Sequence, residues 1–205
     1  MIVKICGIKT TEELDFVERY ADLAGVVMDP SSKRFAGKRR AREIMNAASI
    51  PVFAVLTAES FDEAYNTACR INADNLQIHS EFFPVEDFER LKEHGFRVMK
   101  AFRVPERCDD HNAEVERIIR LINLYKPDHT LLDTGRGTGR VHDLRVSREV
   151  ARMERVIIAG GLGPKNVRSV VEYVNPWGVD VSSGVERSGK KDESLIRAFV
   201  GEVRR

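Results

Sequence analysis

Three side chains able to do acid–base or anion chemistry stand where short apolar runs end. Cys6 closes the run at 2–6, Asp133 closes the run at 129–133, and Arg34 lies in the segment Pro30-Ser31-Ser32-Lys33-Arg34-Phe35 after a second run. Cys6 has three readings. It is a small hydrophobe in a core, a nucleophile if a His and an orienting group stand by, or a general base if its surroundings lower a thiol pKa of about 8.5. Asp133 is a general acid if it is kept protonated, or a carboxylate that caps the following loop. Arg34 offers a two-pronged hydrogen bond to a carboxylate, against a solvated surface role. Gln77 and His79 stand at the end of a fourth run.

Two glycine turns point to an anion. Gly160-Gly161-Leu162-Gly163 and Ser182-Ser183-Gly184 follow two successive late runs, where backbone N–H groups approach a phosphate closely if no side chain intervenes. The segment 135–140, Gly-Arg-Gly-Thr-Gly-Arg, lacks the lysine followed by Ser or Thr of a P-loop and reads as a flexible loop over bound ligand. Cys69 reads as core on the apolar face of a helix, and Cys108, within Arg107-Cys108-Asp109-Asp110, reads as exposed. His79 and Glu81 lack the P-C-x-x-C partner of a zinc deaminase, and no H-E-x-x-H occurs, so no metal site is expected.

Elements must hold these groups together. Apolar runs at 2–6, 23–28, 52–56, 75–78, 97–102, 129–133, 156–159 and 179–181 read as strands, nearly continuous in apolar residues as strands covered on both faces are. Between them lie helical stripes: Leu14, Val17 and Ala21 behind a Thr10/Glu13 capping box; Phe61, Ala64, Tyr65 and Ala68; Val115, Ile118, Ile119 and Ile122; and Val167, Val170, Val171 and Val174 behind Pro164 at a first helical position. The basic run 38–42 reads as a helix start with a solvated face. Eight βα units form either an open doubly wound sheet or a closed barrel. The first strand lacks the G-x-G-x-x-G of a dinucleotide site, and the polar residues recur just after the strands. The expected fold is therefore a single-domain (β/α)8 TIM barrel of the α/β class spanning 1–205.

Composition narrows the partners. With 33 Lys+Arg against 32 Asp+Glu, the net charge of +1 gives no bulk attraction for nucleic acid or an acidic membrane, and neither is expected as a partner. Three scattered cysteines do not make a disulfide framework, and there is no signal-peptide pattern or apolar run of about 20 residues, so an unprocessed, soluble, cytoplasmic protein is expected.

Ordered motifs along almost the whole chain resemble phosphoribosylanthranilate isomerase of tryptophan biosynthesis. They are Lys4-Ile5-Cys6-Gly7-Ile8, the segment Ser31 to Phe35, Leu76-Gln77-Ile78-His79, Leu131-Leu132-Asp133-Thr134 with Gly137-Thr138-Gly139, and Gly160-Gly161-Leu162 with Pro164, Asn166 and Val167. The longest is Val179-Asp180-Val181-Ser182-Ser183-Gly184-Val185-Glu186, followed by Gly189-Lys190-Lys191-Asp192. The resemblance implies conversion of N-(5-phosphoribosyl)anthranilate to 1-(2-carboxyphenylamino)-1-deoxyribulose 5-phosphate with no cofactor. It implies Asp133 as general acid and Cys6 as general base. Arg34 would bind the anthranilate carboxylate, and Gln77, His79, Gly160, Gly161, Ser182, Ser183 and Gly184 would complete the substrate site. The implied partner is a small phosphosugar-anthranilate, and the implied assembly is a monomer or homodimer. Two rivals remain: the histidine-pathway isomerase, whose family carries an aspartate in place of Cys6, and a phosphosugar-binding barrel without catalysis, which has no use for both Cys6 and Asp133.

Overall fold

Runs of Val, Ile and Leu pair side by side in the computed structural model, which describes residues 1–135 and 141–205. The strands are β1 (Ile2–Cys6), β2 (Leu23–Val27), β3 (Val52–Leu56), β4 (Asn75–Ile78), β5 (Arg97–Arg103), β6 (His129–Asp133), β7 (Val156–Ile158) and β8 (Gly178–Val181). All neighbours are parallel, and β8 pairs back onto β1, closing the barrel. Around it run α1 (Thr11–Val17), α2 (Lys38–Ala47), α3 (Phe61–Ile71), α4 (Val85–Glu93), α5 (His111–Tyr125), α6 (Leu144–Met153), α7 (Val167–Val174) and α8 (Glu193–Val203). A short 3-10 turn, Ser183–Val185, and an antiparallel ribbon of β9 (Glu186–Arg187) and β10 (Lys190–Lys191) lie between β8 and α8. The (β/α)8 barrel expected from the sequence is the observed architecture.

Side chains alternate across each strand. Val3, Ile5, Ala24, Val26, Val179 and Val181 pack outward into the layer shared with the helices. Leu23, Phe53, Met99, Leu131 and Ile157 form a separate apolar cluster that fills the barrel interior. Above this floor the inward positions turn polar: Lys4, Gln77 and Asp180 are buried at 0%, 1% and 6% exposure. The register sets Lys4 opposite Asp180. An apolar floor thus carries a charged upper layer at the strand C-termini, the end from which the βα loops rise.

Several local expectations need correction. Cys69 is exposed, because the buried face of α3 is Phe61, Ala64, Ala68 and Ile71, and Cys69 falls about 100° from Ala68. Cys108 is half-buried against the helix layer rather than exposed, its N–H bonded to Asp143. Pro164 precedes α7 instead of opening it, and the helix begins at Val167. Thr10 caps α1 by accepting from the Glu13 N–H, but Glu13 returns to Lys9 rather than to Thr10. The basic run does open α2, with Ala41 buried and its charged neighbours exposed. The expected ligand-covering loop at 135–140 lies, apart from Gly135, outside the described residues.

Candidate active site

Cys6 is buried at the end of β1, opposite Gly25 of β2. A Cβ on Gly25 would lie 3.0 Å from Lys4 Nζ and 3.1 Å from Cys6 Sγ, so the ammonium and the thiol share the space that this glycine leaves. Lys4 Nζ also bonds Asp180 Oδ2 at 3.2 Å. Burial pushes the Cys6 thiol up, Lys4 draws it down, Asp180 pushes it up again and Lys191 draws it down, and the net direction is upward. The depressed thiol that the general-base reading asked for is therefore absent from the resting site, where Cys6 is protonated at neutral pH. Burial also raises Asp180, against the pull of Lys4.

Asp133, ending β6, faces the same charges. Its Oδ1 would lie 2.9 Å from a Cβ on Gly160, which places the carboxyl against the first glycine turn. Burial raises its pKa, and the N–H groups of Gly135 and Thr134 and the charge of Lys4 offset this only in part. A carboxyl held toward its protonated form suits an acid better than a cap.

His79 follows β4, its Nε2 2.5 Å from Gln77 Nε2. The amide nitrogen can only donate, so the imidazole accepts at Nε2 and carries its proton on Nδ1. Burial and then Lys4 lower His79 to about 4, so it is neutral. Buried Oε1 of Gln77 and Oδ1 of Asp180 have no protein partner among the described residues.

Arg34 is engaged already. Its Nε and Nη2 grip the Glu186 carboxylate at 2.7 and 3.2 Å, and Lys191 Nζ holds the same carboxylate at 2.8 Å. The arginine stem lies over Gly7, whose φ of +81° and whose Cβ position 2.6 Å from Arg34 Cδ both demand glycine. Nη1 of Arg34 is unpaired among the described residues, so the guanidinium keeps an edge for a second carboxylate.

The two glycine turns meet backbone to backbone. A Cβ on Gly163 would be 3.6 Å from Gly184 Cα, and one on Gly184 would be 2.9 Å from Gly163 Cα and inside the Leu162 carbonyl oxygen. Gly160 and Gly161 both have positive φ, of 91° and 64°. Asn166 pins the first turn, donating to Gly161 O at 2.9 Å and accepting from Gly163 N at 2.8 Å. The N–H groups of Gly160 and Gly161 donate to no described residue, and Ser183 and Gly184 open a 3-10 turn whose first N–H groups have no partner within it. Helix α7 starts six residues beyond Gly161, so the first turn stands clear of that helix's end. Ser182 Oγ donates to Cys6 O at 2.9 Å, tying β8 to the end of β1.

The model of the family "N-(5'phosphoribosyl)anthranilate (PRA) isomerase" matches residues 3–202. The chain belongs to this family. It is 48% identical over 200 residues to N-(5'-phosphoribosyl)anthranilate isomerase of Pyrococcus abyssi, covering 98% of this chain and 96% of that one. The isomerase structure from Pyrococcus furiosus superimposes with a TM-score of 0.93 at 45% identity, covering 100% of this chain and 98% of the other. A phosphoribosylanthranilate isomerase solved in complex with reduced 1-(o-carboxyphenylamino)-1-deoxyribulose 5-phosphate superimposes with a TM-score of 0.82 at 31% identity, covering 100% and 99%. The sequence singles out the thiol, the carboxyl and both turns, but gives no role to Lys4, Asp180, Glu186, Lys191 or Asn166. The signal for Lys4 and Asp180 was an ionisable residue inside an otherwise apolar strand.

Proposed function

We propose that this chain isomerises N-(5'-phosphoribosyl)anthranilate to 1-(o-carboxyphenylamino)-1-deoxyribulose 5-phosphate, with Asp133 as general acid and Cys6 as general base. The observation that carries the reading is that a carboxyl lifted toward its protonated form and a buried thiol both lie within reach of the same buried ammonium, Lys4, with the carboxyl against the first of the paired glycine turns. Asp133 gives its proton to the furanose oxygen, and the ring opens to an iminium ion at C1. The cationic nitrogen acidifies the C2 hydrogen, which Cys6 as thiolate removes. The resulting enolamine has a C1–C2 double bond and becomes the ketone by protonation at C1. Oxidation at C2 and reduction at C1 balance within one molecule, so the chemistry calls for no cofactor.

The phosphate rests on the amides of Gly160, Gly161, Ser183 and Gly184, and the anthranilate carboxylate on the free edge of Arg34. Fixing both ends holds the sugar between acid and base, an advantage that reaches several kcal/mol in well-oriented systems (about 7–11). Gln77 and His79 line the pocket wall, where Gln77 Oε1 accepts from a sugar hydroxyl. Ser182, at the mouth of the same site, completes it and also braces the end of β1 through its bond to Cys6 O. The setting that fits is the cytoplasm, with this small molecule as the partner. Incubation with freshly prepared phosphoribosylanthranilate, followed by loss of its fluorescence, tests the reading: turnover is expected, and its absence from folded protein contradicts it.

A further inference from the structure

We infer that Lys4 is a positioning residue that supplies the counter-charge for the Cys6 thiolate, and that Asp180 is the rival for the same ammonium. This rests on Cys6 being the base. Lys4 is fully buried, inside the barrel and two residues below Cys6 on the same face of β1. Its Nζ lies 3.2 Å from Asp180 Oδ2, and it crowds the hollow over Gly25 together with Cys6 Sγ. A buried ammonium with one carboxylate is a neutral pair. When Cys6 ionises as well, the two anions face one cation unless Asp180 takes up a proton. Asp180 is suited to that exchange, since its Oδ1 is buried with no protein partner among the described residues.

The other charges near the thiol are accounted for. Lys191, from β10, acts on Cys6 but is committed to Glu186 at 2.8 Å and to Ser182 O at 3.1 Å. His79, beyond β4, is neutral, and Asp133, at the end of β6, is held toward its protonated form. Lys4 is thus the cation whose attention shifts between two acids. In the resting site it serves Asp180 and the thiol keeps its proton. As the iminium ion forms, the thiolate becomes the better anion for Lys4, and no group has to enter or leave.

The two partners of one ion pair should then move Cys6 in opposite directions, which a merely structural pair would not do. The test uses full-length protein carrying Cys69→Ser and Cys108→Ala, so that Cys6 is the one thiol. The rate of iodoacetamide alkylation against pH gives its titration midpoint. Lys4→Met should raise the midpoint by about one to three units. It should lower kcat about tenfold per unit with KM nearly unchanged. Asp180→Asn should lower the midpoint and speed alkylation at pH 7, and Lys4→Arg should restore most of the loss seen with Lys4→Met. Thermal melts check folding; should Lys4→Met not fold, the Asp180→Asn shift decides the matter, and the Lys4→Met/Asp180→Asn pair, which buries no lone charge, gives the high midpoint instead. A midpoint unmoved by Lys4→Met, or raised by Asp180→Asn, overturns the inference. Full turnover by Cys6→Ala would instead overturn the base reading itself, whatever the midpoints.

Discussion

Gly184→Ala should damage phosphate binding without touching the acid or the base. Its Cβ would sit 2.9 Å from Gly163 Cα, whereas ordinary contact begins at 3.4 Å, so the two turns must part there by at least 0.5 Å, and further at the Leu162 carbonyl. Both obstacles are backbone, and no rotamer change relieves them. Forcing a methyl into such packing costs about 1–3 kcal/mol of stability, which lowers Tm by about 2–4 °C per kcal/mol in a protein of this size. The larger effect is on binding. Amides spread by half an ångström or more no longer converge on one phosphate, and losing one hydrogen bond to a charged group costs about 1.5–3 kcal/mol. The expected result is KM raised about 10–100-fold, with a smaller fall in kcat, and weakened competitive inhibition by inorganic phosphate. Gly201→Ala is the control, since a Cβ there meets nothing within 4 Å and α8 gains helix propensity. Gly184→Ala protein that folds and keeps its KM and phosphate inhibition would refute the assignment of the anion to these turns.

Other outcomes follow from the same geometry. Glu186→Gln keeps the shape but removes the charge that Arg34 and Lys191 share, so KM should rise about tenfold, the scale of one charge-assisted hydrogen bond; steady-state kinetics check it, and an unchanged KM speaks against Arg34 as carboxylate holder. Asn166→Ala removes two hydrogen bonds of the first turn, worth about 1 kcal/mol each, and should raise KM while leaving the pH profile alone. The reaction needs Asp133 protonated and Cys6 ionised, although the thiol, raised by burial, titrates above the carboxyl. The active form is then a fixed minority between the two midpoints. kcat/KM should be flat across that window and fall as pH rises past the Cys6 midpoint, because each added unit removes a further tenfold of protonated Asp133. A kcat/KM profile whose alkaline limb departs from the alkylation midpoint of Cys6 speaks against this pairing.

The barrel was legible because its strands are short, apolar and separated by helices with visible faces; β1, β3, β4 and β6 fall where the apolar runs begin and end. Cys69 is not separable from the apolar stripe of α3 by sequence spacing alone, because it adjoins Ala68 and lies one position off the buried face. The turn at Pro164 was misjudged because proline suits both a first helical position and the turn before it, and the side chain of Asn166 decides between them. Cys6, Asp133 and the glycine turns stand out as candidates in the sequence because a barrel presents its strand ends on one face. Lys4 and Asp180 could not be paired from sequence, since 176 residues separate them and only closure of β8 onto β1 brings them together. The same closure, continued by the β9–β10 ribbon, brings Glu186 and Lys191 to Arg34.

The central claim is that one thiol and one carboxyl carry the proton transfers, and the direct measurement is turnover of phosphoribosylanthranilate by Cys6→Ala and Asp133→Asn beside binding of reduced 1-(o-carboxyphenylamino)-1-deoxyribulose 5-phosphate. Each variant should lose about 10²–10⁴-fold in kcat, the range for removing a general acid or base, while still binding the reduced compound nearly as the parent does. Parental turnover by either variant would contradict the account.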